Sequence, residues 1–316
     1  TWTVPAAGQL RGDFSGLLAL GPQYQIYDPN TIQPAPGGRF SRLPLPGNII
    51  PSSRLSPVAQ SLSKLWPAPN LPGTSDGRDN FFAWAQNSKN SHYQHIGRFD
   101  HAFSQNHRLF LRFHYDWFEE TKNDNFQNIA NRTHHNRSNH GAALDDVIVF
   151  SPSFLLNLRY GFLHFEFPER RASRGIDLAS HGFSKNLIGL TDAARVALPN
   201  TSIDGYSGFG TGPDRTMSHV THSAAANLTK MVRSHTLRFG MDFRLDRPFA
   251  DDFASGVSPS LSFGTTWTRG PMDNSTSAPM GQGLAGFLLG LPTGGSMSRL
   301  SGGQALQTKF LALYLQ

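Results

Sequence analysis

Nine charged residues stand at spacings of two or four: Arg98 and Asp100; Arg108, Arg112 and Asp116; Arg238, Asp242, Arg244 and Asp246. On an extended chain, such spacing puts the members of each group on one face, because strand side chains alternate. Three kinds of chemistry are open to a face of this kind. Its charges can form a ladder of cross-strand ion pairs, they can contact a domain lying against the face, or they can line a polar surface along which a solute binds and moves. The first two are structural, and most charges on a wall need only be satisfied.

Other reactive groups give weaker signals. His134, His135 and His140 fall close together in a polar stretch read as a loop. Imidazoles in a cluster suit a borderline metal such as zinc, but solvated loop histidines are the simpler reading, and no metal site is expected. His219 and His222 are three apart, so on a strand they point to opposite faces. The adjacent acids Glu119-Glu120, Asp145-Asp146 and Asp251-Asp252 diverge if extended, which argues against a catalytic carboxylate pair. The chain has no Gly-x-Ser-x-Gly elbow, phosphate loop or His-Glu-x-x-His. It has no cysteine, which excludes disulfides, zinc–thiolate sites and cysteine nucleophiles. The expectation is a protein that is no enzyme and carries no cofactor. The net charge of +6 is spread along the chain without a basic run, so no nucleic-acid partner is expected. Asn131-Arg132-Thr133 and Asn227-Leu228-Thr229 match glycosylation sequons, at a length that arises by chance. Trp66, Trp84, Tyr206 and Phe209 lie in segments read as outer loops. They could meet a sugar or peptide ligand, or pack the loops against each other, and packing is the favoured reading.

The elements that carry these residues read as strands. In Leu237–Asp246 one face is Leu237, Phe239, Met241, Phe243 and Leu245; the other is Arg238, Gly240, Asp242, Arg244 and Asp246. Ten residues match the roughly 9–11 that a tilted strand needs to cross a bilayer. Residues 92–103 and 108–118 repeat the pattern, with Leu109, Leu111, Phe113, Tyr115 and Trp117 opposed to Arg108, Arg112, His114 and Asp116. Strands are also read over 140–150, 154–166, 216–232 and 261–268. Tight turns are expected at 104–106, 151–153 and 233–235, alternating with long connections at 119–138, 168–215 and 247–259. Short turns at one end and long loops at the other are the arrangement of an outer-membrane barrel, with Trp117 in its aromatic girdle. Gly 31, Pro 21 and Phe 24 suit a turn-rich β protein. A mean hydropathy of −0.36 does not argue against it, because barrel strands are apolar only at alternate positions. Residues 1–90 are rich in proline and read as an irregular outer loop with one short helix near 56–65, capped by Ser56 with Pro57 at its first position. The apolar run Gly283–Leu291 reads as a packed turn or short helix.

An ordered series of motifs resembles a known family. It runs through Arg11-Gly12-Asp13-Phe14-Ser15-Gly16, Ile26-Tyr27-Asp28-Pro29-Asn30-Thr31, Pro46-Gly47-Asn48-Ile49-Ile50-Pro51 and Pro67-Ala68-Pro69-Asn70. It continues through Arg98-Phe99-Asp100-His101, Leu237–Asp242, Ala285–Gly290 and Tyr314-Leu315-Gln316. Together these resemble the Oar-like TonB-dependent outer-membrane transporters of acidobacterial type. The resemblance implies a barrel of about 22 strands, a plug domain and a TonB system as partners, and this chain as a central fragment of a longer protein.

The expected fold is therefore all-β, an antiparallel transmembrane β-barrel segment. Residues 1–90 would form an outer loop region, and 91–316 barrel strands with short periplasmic turns and long extracellular loops. The expected place is the bacterial outer membrane, with lipid as a partner. The expected role is uptake of a scarce, bulky nutrient of unknown class. A surface adhesion or assembly protein, or a secreted β-sandwich binding module, are the alternatives.

Overall fold

The computed structural model describes residues 1–84, 90–251, 257–298 and 302–316. A small hairpin, β1 (Gln33–Ala35) and β2 (Arg39–Ser41), lies in the N-terminal segment. Four long strands follow: β3 (Asn90–Ser104), β4 (His107–Lys122), β5 (Thr133–Ser151) and β6 (Phe154–Arg171). After the short β7 (Asn200–Ile203) and β8 (Tyr206–Phe209) come two more long strands, β9 (Arg215–Val232) and β10 (His235–Asp251). The last are β11 (Ser260–Phe263), β12 (Gly294–Ser296), β13 (Gln304–Ala305) and β14 (Thr308–Leu315).

The long strands form one antiparallel sheet in the order β3-β4-β5-β6-β9-β10, with β13 and β14 both pairing along the far side of β10. Two-residue turns at 105–106, 152–153 and 233–234 join its hairpins. Register places all three at one end: His107 pairs with Ile148, Phe154 with Lys230, and His235 with Val232. Neighbouring turns are tied together, as Val149 donates to the Asn106 carbonyl at 2.7 Å and Met231 to that of Ser153 at 2.9 Å. The long connections leave from the opposite end.

The two faces of this sheet differ as the alternation predicts. One row runs Phe99, Leu111, Leu144, Tyr160, Ala224, Phe243, Leu311 across seven strands. Its residues are open to the surroundings: Phe99 is 59% exposed, and Phe113 two residues along β4 is 53% exposed. Among the described residues, no hydrophobic side chain of the long strands belongs to the buried core. A β-sandwich would bury this face under a second sheet. An open apolar face suits contact with lipid instead. Toward the long-loop end the face carries aromatic and histidine rings: Tyr93 stacks on Trp117 at 5.5 Å, and His140 meets His164 at 3.3 Å. Rings at this level suit the aromatic girdle of a membrane barrel.

The hydrophobic core lies in a cap at the long-loop end. It joins Val4, Phe14, Ile26, Ile50 and Leu62 from the N-terminal segment to Phe126, Phe209, Phe263, Met280 and Phe287 from the other long connections. The N-terminal segment, irregular apart from short helical turns and one hairpin, is a principal source of this core. The helix Pro57–Ser63 begins at a Ser56 cap, whose hydroxyl accepts from the Ala59 N–H at 3.5 Å. A second helix, Gln282–Leu288, is buried at every residue. The Ser56 N–H donates to the Leu288 carbonyl at 2.8 Å and ties the two together.

Two strand expectations need correction. The stretch 261–268 is no wall strand: β11 ends at Phe263 and pairs with β7 and β12 in a separate four-stranded sheet of the cap. Strands β4, β5, β6 and β10 also run several residues further at the mouth than alternation suggests. Their extensions carry Glu119, Glu120, His134 and Arg170, because a ladder that projects beyond lipid needs no apolar face.

Candidate functional site

All nine of the charged residues that opened the sequence argument fall on the polar face of the sheet. Register pairs Arg98 with Arg112, Asp100 with Phe110, Ala102 with Arg108, and Gln94 with Asp116. Carried across the sheet, the Arg98–Arg112 row passes through Ala143, Gly161 and Ser223 to Arg244 and Phe310. The next row holds Asp100, Phe110, Asp145, Arg159, Ala225 and Asp242. Two shallow hollows lie on this face. One, of about 460 Å³, is lined by Arg98, Asp100, Arg108, Phe110 and Asp145; the other, of about 320 Å³, by Arg112, His114, Ala143, Gly161 and Ser223.

The charges do not form a complete cross-strand ladder. Arg98 pairs with Asp100 on its own strand through two 2.7 Å contacts, and its guanidinium lies 4.4 Å from the Phe110 ring centre. Asp116 holds His92 at 2.6 Å and Arg137 at 3.7 Å. Asp246 accepts from Thr221 at 2.8 Å and lies 3.5 Å from His219. Arg108, Arg112, Arg238, Asp242 and Arg244 have no ion-pair partner among the described residues. Their long side chains are therefore available to a solute or to another segment on this side of the wall. Sequence reasoning weighed Asp145 only as half of an adjacent acidic pair, whereas it pairs with Arg159 at 2.6 Å on the polar face; it missed Arg137, which sits in a stretch read as loop. The Asn157-Leu158-Arg159 alternation was the available signal for the first.

At the mouth, the polar face runs into the cap. Thr133, His135, Glu169 and Arg171 all stand on this face and are buried. Glu169 meets His135 at 3.0 Å and is also bonded by Arg215. The Arg171 guanidinium donates to the carbonyls of Leu198 at 3.1 Å and Gly210 at 2.7 Å. Asp214 is fully buried and takes a 2.6 Å bond from Arg174. Burial pushes its carboxyl above the usual carboxylate range, and the guanidiniums of Arg174, Arg170 and Arg171 oppose that push. The cap is thus fastened over the polar side of the wall, so the polar side is the interior.

The remaining candidates are placed as follows. His134, His135 and His140 lie on β5 rather than in a loop; alternation puts His135 on the other face, and six residues of extended strand separate His134 from His140. His134 points outward beside Thr121 at 3.3 Å, His135 inward to Glu169, and His140 outward to His164. No group of three metal-ligating side chains converges among the described residues. His222 bonds the Tyr160 hydroxyl at 2.7 Å on the outer face while His219 lies on the inner one. Of the acidic pairs, Asp145 faces inward and Asp146 outward to His107 at 2.8 Å; Asp252 lies outside the described residues. Trp66, Tyr206 and Phe209 are buried core residues, and Tyr206 also borders a cavity in the cap. Trp66 packs edge-on to Phe209 and Phe287, and its indole donates to the Ser207 carbonyl at 2.7 Å. Trp84 alone is exposed, at 76%, and packs on Phe82.

A long-stranded antiparallel sheet, apolar outside and charged inside, with tight turns at one end and a folded cap at the other, is a segment of a transmembrane β-barrel. Its place is the bacterial outer membrane. The chain belongs to the outer membrane beta barrel domain family, whose model matches residues 1–316. Among solved structures it is similar to the outer membrane transporter YddB from Escherichia coli, at 12% identity and a TM-score of 0.44. That match covers 72% of this chain and 25% of the transporter, so the chain spans about a quarter of the length of that protein. No match was found among curated proteins.

Proposed function

We propose that this chain forms part of the wall and the outer cap of a TonB-dependent, Oar-like transporter that takes up a scarce, bulky nutrient. Its partners in this reading are a plug domain and the TonB system, and it catalyses no reaction itself. The observation that carries the reading is the one-sidedness of the wall. Four arginines without ion-pair partners among the described residues, Arg108, Arg112, Arg238 and Arg244, line the inner face, and that face leads directly under a folded cap. A barrel used only as an anchor needs a lipid-facing surface but no long, hydrophilic interior open to solutes. Surface adhesion is the second reading, favoured by a cap with its own hydrophobic core.

The test compares cells with and without the gene in a dilute nutrient mixture, measuring which solutes disappear from the medium with and without an uncoupler. One solute class should be depleted only when the gene is present and the membrane is energised. Identical depletion profiles in the two strains would remove the transport reading.

A further inference from the structure

We propose that the cap carries a binding site for a neutral saccharide unit, in the cavity where the loop following β4 meets the β7–β8 hairpin. The cavity has a volume of about 370 Å³, and Trp2, Asn123, Asn200, Ser202, Asp204 and Thr211 are among the residues that line it. That volume lies within the range of roughly 300–1,000 Å³ typical of small-molecule sites.

The chemistry of the lining selects the ligand. No lysine, arginine or histidine contributes to it, so nothing there would attract a phosphate or a carboxylate. Amides, hydroxyls and one carboxylate stand between the apolar surfaces of Trp2, Ile203 and Tyr206, and leaving those polar groups unpaired disfavours a plain hydrocarbon. What suits both conditions is an uncharged molecule rich in groups that donate and accept at once, as sugar hydroxyls do. Asp204 and the Asn200 amide can each take two neighbouring hydroxyls, and neither side chain has a hydrogen-bond partner among the described residues. Ser202 donates to Ser262 at 3.1 Å, which leaves its lone pairs free to accept. Asn123 donates to Thr133 at 3.4 Å and keeps its carbonyl. The indole of Trp2 is half-buried and held edge-on to Phe126 at 6.1 Å, an apolar body with an N–H that donates to nothing among the described residues.

The site is built before any ligand arrives. Residues of β7 alternate: Thr201 and Ile203 are buried, while Asn200, Ser202 and the following Asp204 are exposed. Asn131, itself buried, fixes the far wall by accepting from the Thr211 N–H at 3.2 Å and its hydroxyl at 2.9 Å. Binding here needs no movement through the barrel, so this inference stands apart from the transport reading.

The test uses the full chain in a detergent without sugar groups, such as lauryldimethylamine oxide. Methyl α-glucoside, methyl α-galactoside, methyl α-mannoside, methyl β-xyloside and cellobiose are titrated by calorimetry and by saturation-transfer NMR. At least one should bind, and Asn200→Ala and Asp204→Ala should each weaken it on the order of tenfold. Both residues are exposed and outside the core, so thermal melts of the variants should match the parent. If no probe binds the parent chain, or if binding is unchanged in both variants, the proposal is overturned. Because transport is not measured, either result leaves the uptake reading to its own test.

Discussion

The Tyr314 hydroxyl donates to the Asn227 side-chain carbonyl at 2.7 Å, reaching across β10 to do so. Tyr314 sits on β14 and Asn227 on β9, and both pair with Gly240 between them. The ring occupies the space that a side chain at 240 would take: a Cβ there would lie 1.9 Å from Cε1 of Tyr314. Gly240→Ala should therefore cost about 1–3 kcal/mol, because the ring must leave its place. Gly161 lies on the same face, but a Cβ there would meet only the Ser223 hydroxyl, at 2.7 Å, and that group can rotate away. Gly161→Ala should be close to neutral. Denaturant unfolding of the two variants in matched detergent checks the contrast, and equal destabilisation would contradict it.

The lack of cysteine makes the two-faced wall directly testable. Single cysteines at Arg238 and Asp242 should react with a water-soluble maleimide when the chain is in a bilayer. Cysteines at Phe239 and Phe243 should be protected there and become reactive after unfolding. Reactivity that fails to alternate along 238–243, or alternates in the opposite sense, would falsify the inside-outside assignment.

The core assignment predicts an asymmetry between two tryptophans that look alike in the sequence. Trp66→Ala removes a ring packed on Phe209 and Phe287 and leaves the Ser207 carbonyl without its donor. It should destabilise the cap by about 3–5 kcal/mol. Trp84→Ala removes an exposed ring and should fall within about 0.5 kcal/mol of the parent. Near-ultraviolet circular dichroism during unfolding reports the cap directly, and similar losses for both variants would place Trp84 in the core as well.

These cases show which parts of the molecule are legible in the chain. The wall was readable because its information is local: Leu237 to Asp246 alternates at a period of two, and a two-residue turn at 233–234 fixes its partner. The cap was not, because its order comes from contacts between distant segments. Asn80 bonds both the N–H and the carbonyl of Val4, at 2.8 and 2.7 Å, and Gln282 donates to the Gln25 carbonyl at 3.2 Å. No spacing within 1–90 announces such partners, so a core segment reads as a proline-rich loop. For the charges on the wall, alternation carries the face and not the partner. Alternation says that Arg98 and Arg112 share a side; only the arrangement of side chains says that Asp100 engages the first and leaves the second free.

Within that cap, one ion pair should make stability depend on acidity. Arg54 holds Asp28 through two 2.7 Å contacts, with both side chains largely shielded. The hydrogen bonds from Arg54 keep the Asp28 carboxyl below its usual range, against the opposing effect of partial burial. A carboxyl depressed on folding binds fewer protons in the native state than in the unfolded one. Its stabilising contribution is therefore complete above the unfolded value of about 4 and is lost as pH falls below that, toward the folded value. The pair also ties the turn at Pro29–Thr31 to the turn at Ser52–Arg54, so its loss loosens the core from one side. Arg54→Gln should cost about 1 kcal/mol at neutral pH, and this deficit should shrink as pH drops below about 4, where the parent loses the same interaction. Unfolding followed by tryptophan fluorescence between neutral pH and about pH 3 measures both. A deficit that stays constant across the range would show that Arg54 acts through packing of its side chain and not through the charge on Asp28.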